Sequence, residues 1–244
     1  MAPDGEKMSK SKGNVIDPME IMDSGYGADS LRLYEMFIAP YDQDAPWDTR
    51  GVPGTYRFLN RVWTLVQEYL AADNGDANEA VTKELARLAH GIAKKITQDI
   101  EDEKFNTAVS SMMETVNALY KLKDAHGIVK SPAWQQMIEN LLMVLAPFAP
   151  HITEELWHQL GHADTIHVDH WPEWDESLLV ADEVTIVVQV NGKVRARLAC
   201  EKGADQAAVE ALVYANEHVM SFIDDKQPAK VIYVPDRLLN IVVK

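Results

Sequence analysis

The stretch from residue 81 to residue 100, VTKELARLAHGIAKKITQDI, decides the fold class of this chain. Its apolar residues recur at intervals of three and four, which is the spacing along one face of an α-helix. That stripe consists of Val81, Leu85, Leu88, Ile92, Ile96 and Ile100. Because an apolar stripe is stable only when it is covered by other elements, we expect this helix to belong to a helical bundle.

The segments on both sides of this stretch repeat the helical spacing. Further stripes lie in residues 56–70, 105–120 and 132–145. Pro147 and Pro150 then bracket a kink, and a shorter helix continues to Gly161. Four long amphipathic helices with short links predict a bundle over residues 49–176.

Beyond residue 177 the sequence changes to a β-type pattern. Asn191-Gly192 separates two β-rich runs, Val184–Val190 and Lys193–Cys200, and is a strong hairpin signal. A helix with a break near Asn216 should cover residues 205–223, followed by strands at 230–234 and 239–243. The predicted fold class is therefore mostly α, with a small α+β C-terminal domain of β-β-α-β-β order over residues 177–244. Residues 1–48 form a loop and connecting helices before the bundle.

Composition limits the protein classes to which the chain can belong. Of its 244 residues, 47% are apolar and 25% are charged, which is typical of globular proteins. No apolar run approaches the roughly 18 residues that a membrane helix needs, so we expect no membrane partner. Cys200 is the lone cysteine, which excludes an internal disulfide and fits the reducing cytoplasm. We also expect a monomer.

The net charge of −15 argues at first against a nucleic-acid partner, because phosphate binding depends on Lys and Arg. The charge is unevenly distributed, however. Residues 1–20 and 182–244 each sum to −1, and the remaining −13 falls on residues 21–181. Local basic stripes could still bind RNA.

Residues 7–14, KMSKSKGN, form a loop suited to phosphate. Lysine supplies a compact positive charge, serine hydroxyls and backbone N–H groups donate hydrogen bonds, and Gly13 lets the backbone approach closely. A solvated basic loop is the alternative.

Two predicted helices carry basic residues at helical spacing. Arg57 and Arg61 form an i, i+4 pair, and Arg87 and Lys94 belong to a stripe with Lys83 and His90. Either set could contact the phosphates of a nucleic acid, and either could be an ordinary solvated face.

Lys193, Arg195 and Arg197 alternate with apolar residues in the returning strand of the hairpin. Strict alternation would place all three charges on one face, about 6 to 7 Å apart, where they could follow a phosphate backbone. An edge strand protected from aggregation by its charges is the alternative.

Five histidines lie between residues 151 and 170. His158 and His162 have i, i+4 spacing, but no glutamate lies between them and no cysteine is near. We therefore predict no metal site.

The loop also carries a resemblance, because Lys7–Ser11 is identical to the KMSKS motif of class I aminoacyl-tRNA synthetases. Further matching segments are Tyr26–Asp29 with Arg32-Leu33, Arg57–Leu59 with Arg61–Trp63, Phe105–Ala108, Pro147–His151 with Glu154–Trp157, and Val188–Ala196. The last of these is characteristic of leucyl enzymes. The whole chain thus resembles the C-terminal part of bacterial-type leucyl-tRNA synthetases.

This resemblance implies ATP-dependent activation of leucine and its transfer to the leucine tRNA by the complete enzyme, with Mg²⁺ accompanying ATP. Lys10 would stabilise charge on the ATP phosphates, Lys7 would assist, and Ser9 and Ser11 would position the loop. The bundle would be the anticodon-binding domain and hold the tRNA body, while the terminal domain would reach the outer corner of the tRNA.

The HxGH segment, leucine pocket and editing domain of that family are missing from this sequence. We therefore expect a fragment that begins at an introduced Met1, binds no cofactor and is inactive alone, with its loop disordered or held by contacts unrelated to catalysis. The alternatives are a free-standing tRNA-binding module, a fragment of an isoleucyl, valyl or methionyl enzyme, and a helical scaffold that binds protein.

Overall fold

The computed structural model describes residues 1–179, 183–223 and 228–243. The chain divides into two compact units, Met1–Leu179 and Val180–Lys244. The end of the predicted terminal domain, at residue 244, lies outside the described residues.

The first unit is mainly helical. Its helices are α1 Pro18–Ile21, α2 Gly27–Phe37, α3 Val52–Ala71, α4 Glu79–Glu101, α5 Phe105–His126, α6 Pro132–Leu145 and α7 Pro150–Gln159. A π-turn, Met22–Tyr26, joins α1 to α2, and within it Gly25 has φ +94°, which favours glycine. The predicted bundle helices and the kink between residues 147 and 150 are thus confirmed.

Polar residues at the helix starts explain where these helices begin. The Asp17 carboxylate accepts a hydrogen bond from the Met19 N–H at 2.9 Å, with Pro18 in the first helical position. Asn78 caps α4 in the same way, and its side-chain oxygen lies 2.9 Å from the Val81 nitrogen. Each cap satisfies an N–H group that the helix itself cannot pair.

The apolar stripes meet in one core. Val62, Leu85, Ile96, Met112 and Leu141 each have no exposed surface. Full burial of such a side chain contributes about 1.5–3 kcal/mol. The bundle is therefore held together by the stripes that the sequence displays.

The second unit is a four-stranded sheet with two helices. Its elements are β1 Glu183–Val190, β2 Lys193–Glu201, α8 Gln206–Tyr214, α9 Glu217–Ile223, β3 Pro228–Val234 and β4 Leu238–Val243. The strand order is β2-β1-β4-β3, with β1 and β4 parallel and the outer pairs antiparallel. The predicted helix over 205–223 is broken at Asn216, as expected, and the α+β fold class is confirmed.

A separate apolar cluster stabilises this sheet. Ile186 and Val188 of β1, Leu239 and Ile241 of β4, and the helix residue Val219 are buried in it together. In the ranges that the structure describes, no helix is both long and apolar enough to cross a membrane.

Candidate functional site

The phosphate-binding loop predicted at residues 7–14 is a closed turn. Lys10–Lys12 form one turn of 3₁₀-helix, and the Ser9 hydroxyl accepts a hydrogen bond from the Lys12 N–H at 3.3 Å. Gly13 ends the turn at φ +66° and donates its N–H to the Lys10 carbonyl at 3.2 Å. Gly13 is suited to this position because glycine adopts the left-handed conformation without steric cost. The loop is held by contacts within the chain, and the expectation that it is disordered or held by contacts unrelated to catalysis stays a prediction.

Asn14 ties the two ends of the loop together, a role that the sequence interpretation missed. Its side-chain oxygen accepts the Ser9 N–H at 2.8 Å, and its side-chain NH₂ lies 3.4 Å from the Lys7 carbonyl. An amide has both a donor and an acceptor, so this one side chain can bond two backbone groups at the start of the loop. An asparagine just after the turn glycine is the signal that could have indicated this.

The three lysines of the loop have different environments. Lys12 forms an ion pair with Glu6 at 2.7 Å. Lys7 and Lys10 are exposed, and neither has an ion-pair partner among the described residues. Ser9 and Ser11 place their hydroxyl oxygens 3.3 Å apart. The loop thus presents two uncompensated ammonium groups beside two hydroxyls, an arrangement that suits a polyphosphate.

The loop rests on an apolar pocket. Met8 is half-buried and lines this pocket of about 300 Å³ together with Ile16, Leu31, Ile38 and Trp47. Burial of Met8 anchors the loop, while the exposed Lys7 and Lys10 lie on either side of it along the chain.

The two arginines of α3 differ in how firmly they are held. The side chain of Arg57 is exposed and has no hydrogen-bond partner in the described part of the chain. Arg61 donates to the Asn117 side-chain oxygen at 2.6 Å, and its guanidinium carbon lies 4.4 Å from the centre of the Tyr120 ring. Arg57 is therefore the more available cation for a phosphate.

The basic stripe of α4 is occupied by the protein's own acids. Arg87 donates twice to Glu84, at 2.6 and 2.7 Å, and these hydrogen bonds raise the pKa of Arg87. Lys94 pairs with Glu176 at 2.7 Å. Near Glu176, Trp171 donates its indole N–H to the Thr97 hydroxyl of α4 at 2.7 Å. The segment 171–176 thus lies along the stripe, and RNA contact by Arg87 and Lys94 stays a prediction.

The hairpin corrects the prediction that three charges share one face. Val188 pairs with Ala196, but Gln189 pairs with Val194, so Arg195 is an extra residue in β2. This β-bulge interrupts the alternation of side chains. Val194 is 50% exposed.

As a result, Arg195 and its neighbours have different environments. The Arg195 guanidinium lies 3.9 Å from the centre of the Phe222 ring in α9, and its Nε is buried with no partner among the described residues. Arg197 pairs with Val187 and is exposed, as is Lys193. The hairpin therefore presents two exposed cations, and the third is packed on an aromatic ring.

The histidines are bound to nearby acids and carbonyls. His158 lies 3.1 Å from a Glu154 carboxylate oxygen and 2.9 Å from the His162 carbonyl. His162 stacks on Trp157 with a ring separation of 3.6 Å and contacts Glu139 at 2.9 Å. Within the described ranges, no three His, Cys, Asp or Glu side chains are grouped so that they could hold a metal ion.

Two protein-family models match the chain. Residues 82–211 match the anticodon-binding domain of tRNA ligase. Residues 1–48 match the family of class I tRNA synthetases for I, L, M and V.

Individual relatives agree with these matches. The chain is 43% identical over 249 aligned residues to the leucine--tRNA ligase of Geobacter sp. (strain M21), covering 98% of this chain and 30% of the relative. It also matches the LeuRS from the ternary LeuRS-tRNA-LeuAMS complex of Agrobacterium radiobacter K84, with 29% identity and a TM-score of 0.72, covering 100% of this chain and 33% of that one. The chain therefore spans about a third of the length of these relatives.

A more distant match extends only to the fold. The Mycobacterium tuberculosis methionyl-tRNA synthetase bound by methionyl-adenylate is 17% identical, with a TM-score of 0.51 over 64% of this chain and 36% of that chain.

Proposed function

Because the chain belongs to the anticodon-binding domain family of tRNA ligases, we propose that it acts as the C-terminal part of a leucine–tRNA ligase. The complete ligase would activate leucine with ATP and transfer it to the leucine tRNA. The observation that carries this proposal is the loop at residues 7–14, where Lys7 and Lys10 are exposed and uncompensated. The first five residues of this loop are identical to the KMSKS motif of the class I synthetases.

Each of the three predicted domains would have its own function in the complete ligase. Residues 1–48 would supply the ATP-phosphate loop, residues 49–176 would hold the tRNA body, and residues 177–244 would reach its outer corner. Mg²⁺ would accompany ATP in the complete enzyme. We propose a cytoplasmic monomer, in line with the lone Cys200.

In the proposed reaction, Lys10 stabilises the negative charge that develops on the ATP phosphates. Lys7 adds a second positive charge, and Ser9 and Ser11 keep the turn in shape through their hydroxyls. Lys12 contributes less, because Glu6 already compensates its charge. Lys10 and Lys12 are therefore a matched pair for an experiment.

We expect Lys10→Ala to lower the rate of leucine-dependent ATP–pyrophosphate exchange about a hundredfold to a thousandfold, the usual cost of removing one group that stabilises transition-state charge. The assay uses the Geobacter ligase with its C-terminal part replaced by this chain. Lys12→Ala is the matched control and should reduce the rate far less. Equal activity of the Lys10→Ala and unmodified chimeras would overturn the role of Lys10.

The tRNA surface should use the cations that the protein leaves unpaired. Among the seven candidates, three have no acid, amide or ring partner in the described ranges: Arg57, Lys193 and Arg197. The other four, Arg61, Arg87, Lys94 and Arg195, are engaged by side chains of the protein itself. Lys193 and Arg197 lie on one strand and can be tested together.

We expect the Lys193→Gln/Arg197→Gln variant to bind leucine tRNA more weakly and to show a smaller salt dependence. The slope of log K against log salt should fall by about 0.9 for each phosphate that the variant no longer neutralises. Lys104→Gln, which removes a cation paired with Asp102 at 2.7 Å, is the control in a gel-shift titration. Unchanged affinity and slope would remove β2 from the interface. A chain that binds tRNA but gives an inactive chimera would favour a free-standing tRNA-binding module.

A further inference from the structure

The kink between α6 and α7 has polar backbone groups that its own sequence cannot satisfy. Ala149, at the N-cap of α7, makes no side-chain hydrogen bond, and Pro150 has no N–H. The first amides of α7 that need an acceptor are therefore those of His151 and Ile152. On the α6 side, the Pro147 carbonyl lies beyond the end of the helix.

Helix α2 supplies partners for both sides of the kink. The Asp29 carboxylate accepts the Ile152 N–H at 2.8 Å and the His151 N–H at 3.4 Å. Arg32 donates from its guanidinium to the Pro147 carbonyl at 3.0 Å. Asp29 and Arg32 are three residues apart in α2, so both lie on one face of that helix.

We propose that Asp29 and Arg32 are positioning residues that clamp α2 to the α6–α7 kink, so that these elements move as one body. The purpose of the clamp rests on the proposed function, because α2 follows the phosphate-binding loop and α6 and α7 belong to the tRNA-binding bundle. The clamp would hold the loop in register with the bundle that carries the tRNA.

Burial strengthens the Asp29 side of the clamp, whereas Arg32 is exposed. Asp29 is only 9% exposed, so its hydrogen bonds to the two α7 amides lie where little water competes with them, and their loss costs more than the loss of exposed hydrogen bonds. The His151 imidazole also approaches Asp29, at 2.7 Å, but its side chain is 74% exposed and this contact adds little.

Helix capping alone does not explain the pair. An N-cap needs a single acceptor, which a serine at position 149 could supply locally. Arg32 takes no part in capping α7 and binds the carbonyl on the other side of the kink. Contacts on both sides of the kink fix its orientation relative to α2.

The decisive measurement is the distribution of distances between α2 and α7, obtained by double electron–electron resonance between two spin labels. Spin labels are placed at the exposed positions Glu35 and Glu155 by substitution with cysteine, in a Cys200→Ala background. We expect the unmodified chain to give a narrow distribution and Asp29→Ala/Arg32→Ala a broader one. Asp23→Ala, which removes an exposed carboxylate just before α2, is the control and should stay narrow. A narrow distribution for the double variant would overturn the clamp.

A serine introduced at position 149 can cap α7 without Asp29, and it therefore separates the capping of α7 from the positioning of α7 against α2. Asp29→Ala should speed hydrogen exchange of the His151 and Ile152 amides about tenfold or more. Adding Ala149→Ser should restore their protection, while the distance distribution stays broad. Recovery of a narrow distribution would reduce Asp29 to an ordinary cap and contradict the proposal.

Arg32 provides a variant that does not disturb the core, in case the buried position 149 does not accept serine. Arg32→Ala should broaden the distribution and leave exchange at His151 and Ile152 unchanged, and Arg32→Lys should partly restore the narrow form. An unchanged distribution in Arg32→Ala would overturn the clamp. No nucleotide or tRNA enters these measurements, so their failure is distinct from failure of the proposed ligase function, which the exchange and tRNA assays test.

Discussion

At the scale of single residues, His158 shows how a surface side chain acquires a defined charge. Its hydrogen bond to the His162 carbonyl raises its pKa most, and the nearby Glu154 carboxylate adds to the effect. Burial raises the pKa of Glu154, but hydrogen bonds from Thr165 and from the Ile166 N–H outweigh it and lower that pKa overall. Both shifts favour the charged forms in the folded protein.

We expect the NMR titration midpoint of His158 to lie above its ordinary value of 6.5. Because a raised pKa favours the protonated form in the fold, the stabilisation is complete below pH 6.5 and disappears as the pH rises through the folded pKa. Glu154→Gln should lower the midpoint, and Glu155→Gln should lower it less, since Glu155 contributes least. Equal effects of the two substitutions would contradict this assignment.

At the scale of elements, the sequence predicts positions better than it predicts registers. Asn191-Gly192 located the hairpin because both residues adopt positive φ, +51° and +76°. The bulge at Arg195 could not be predicted from alternation, since the extra residue is defined only by the pairing of β2 with β1. The same limit applies to Asp29 and Arg32, whose spacing is visible but whose partners lie more than a hundred residues away.

The junction of α2 and α3 depends on a glycine. A Cβ at Gly51 would lie 2.2 Å from Cε2 of Tyr34, whose hydroxyl is held by the Asp48 carbonyl at 2.6 Å. We expect Gly51→Ala to destabilise the protein by about 1–3 kcal/mol, because the pinned ring cannot yield. Gly54→Ala is the matched control, since a Cβ there meets nothing within 4 Å and should stabilise α3 by about 0.5–1 kcal/mol. Urea unfolding measures both, and equal signs for the two substitutions would refute this explanation.

At the scale of the whole molecule, the sequence predicted the helical bundle and the α+β fold because both follow from periodicity. The candidate site was only partly predictable. Composition identified the cations, but whether each is available depends on tertiary contacts such as Lys94 with Glu176 and Arg195 with Phe222. Availability is therefore a property of the folded chain, which no local pattern records.

The first unit contains a complete apolar core of its own, so residues 1–179 should fold without the remainder of the chain. We expect this polypeptide to unfold in one cooperative transition when it is heated and its helix content is measured by circular dichroism. Leu141 is fully buried, and Leu141→Ala should destabilise the unit by about 2–5 kcal/mol. Leu178 is 42% exposed, and the same change there should stay within about 0.5 kcal/mol. A gradual transition, or equal destabilisation by the two leucine substitutions, would show that the apolar core of the bundle is not sufficient for residues 1–179 to fold alone.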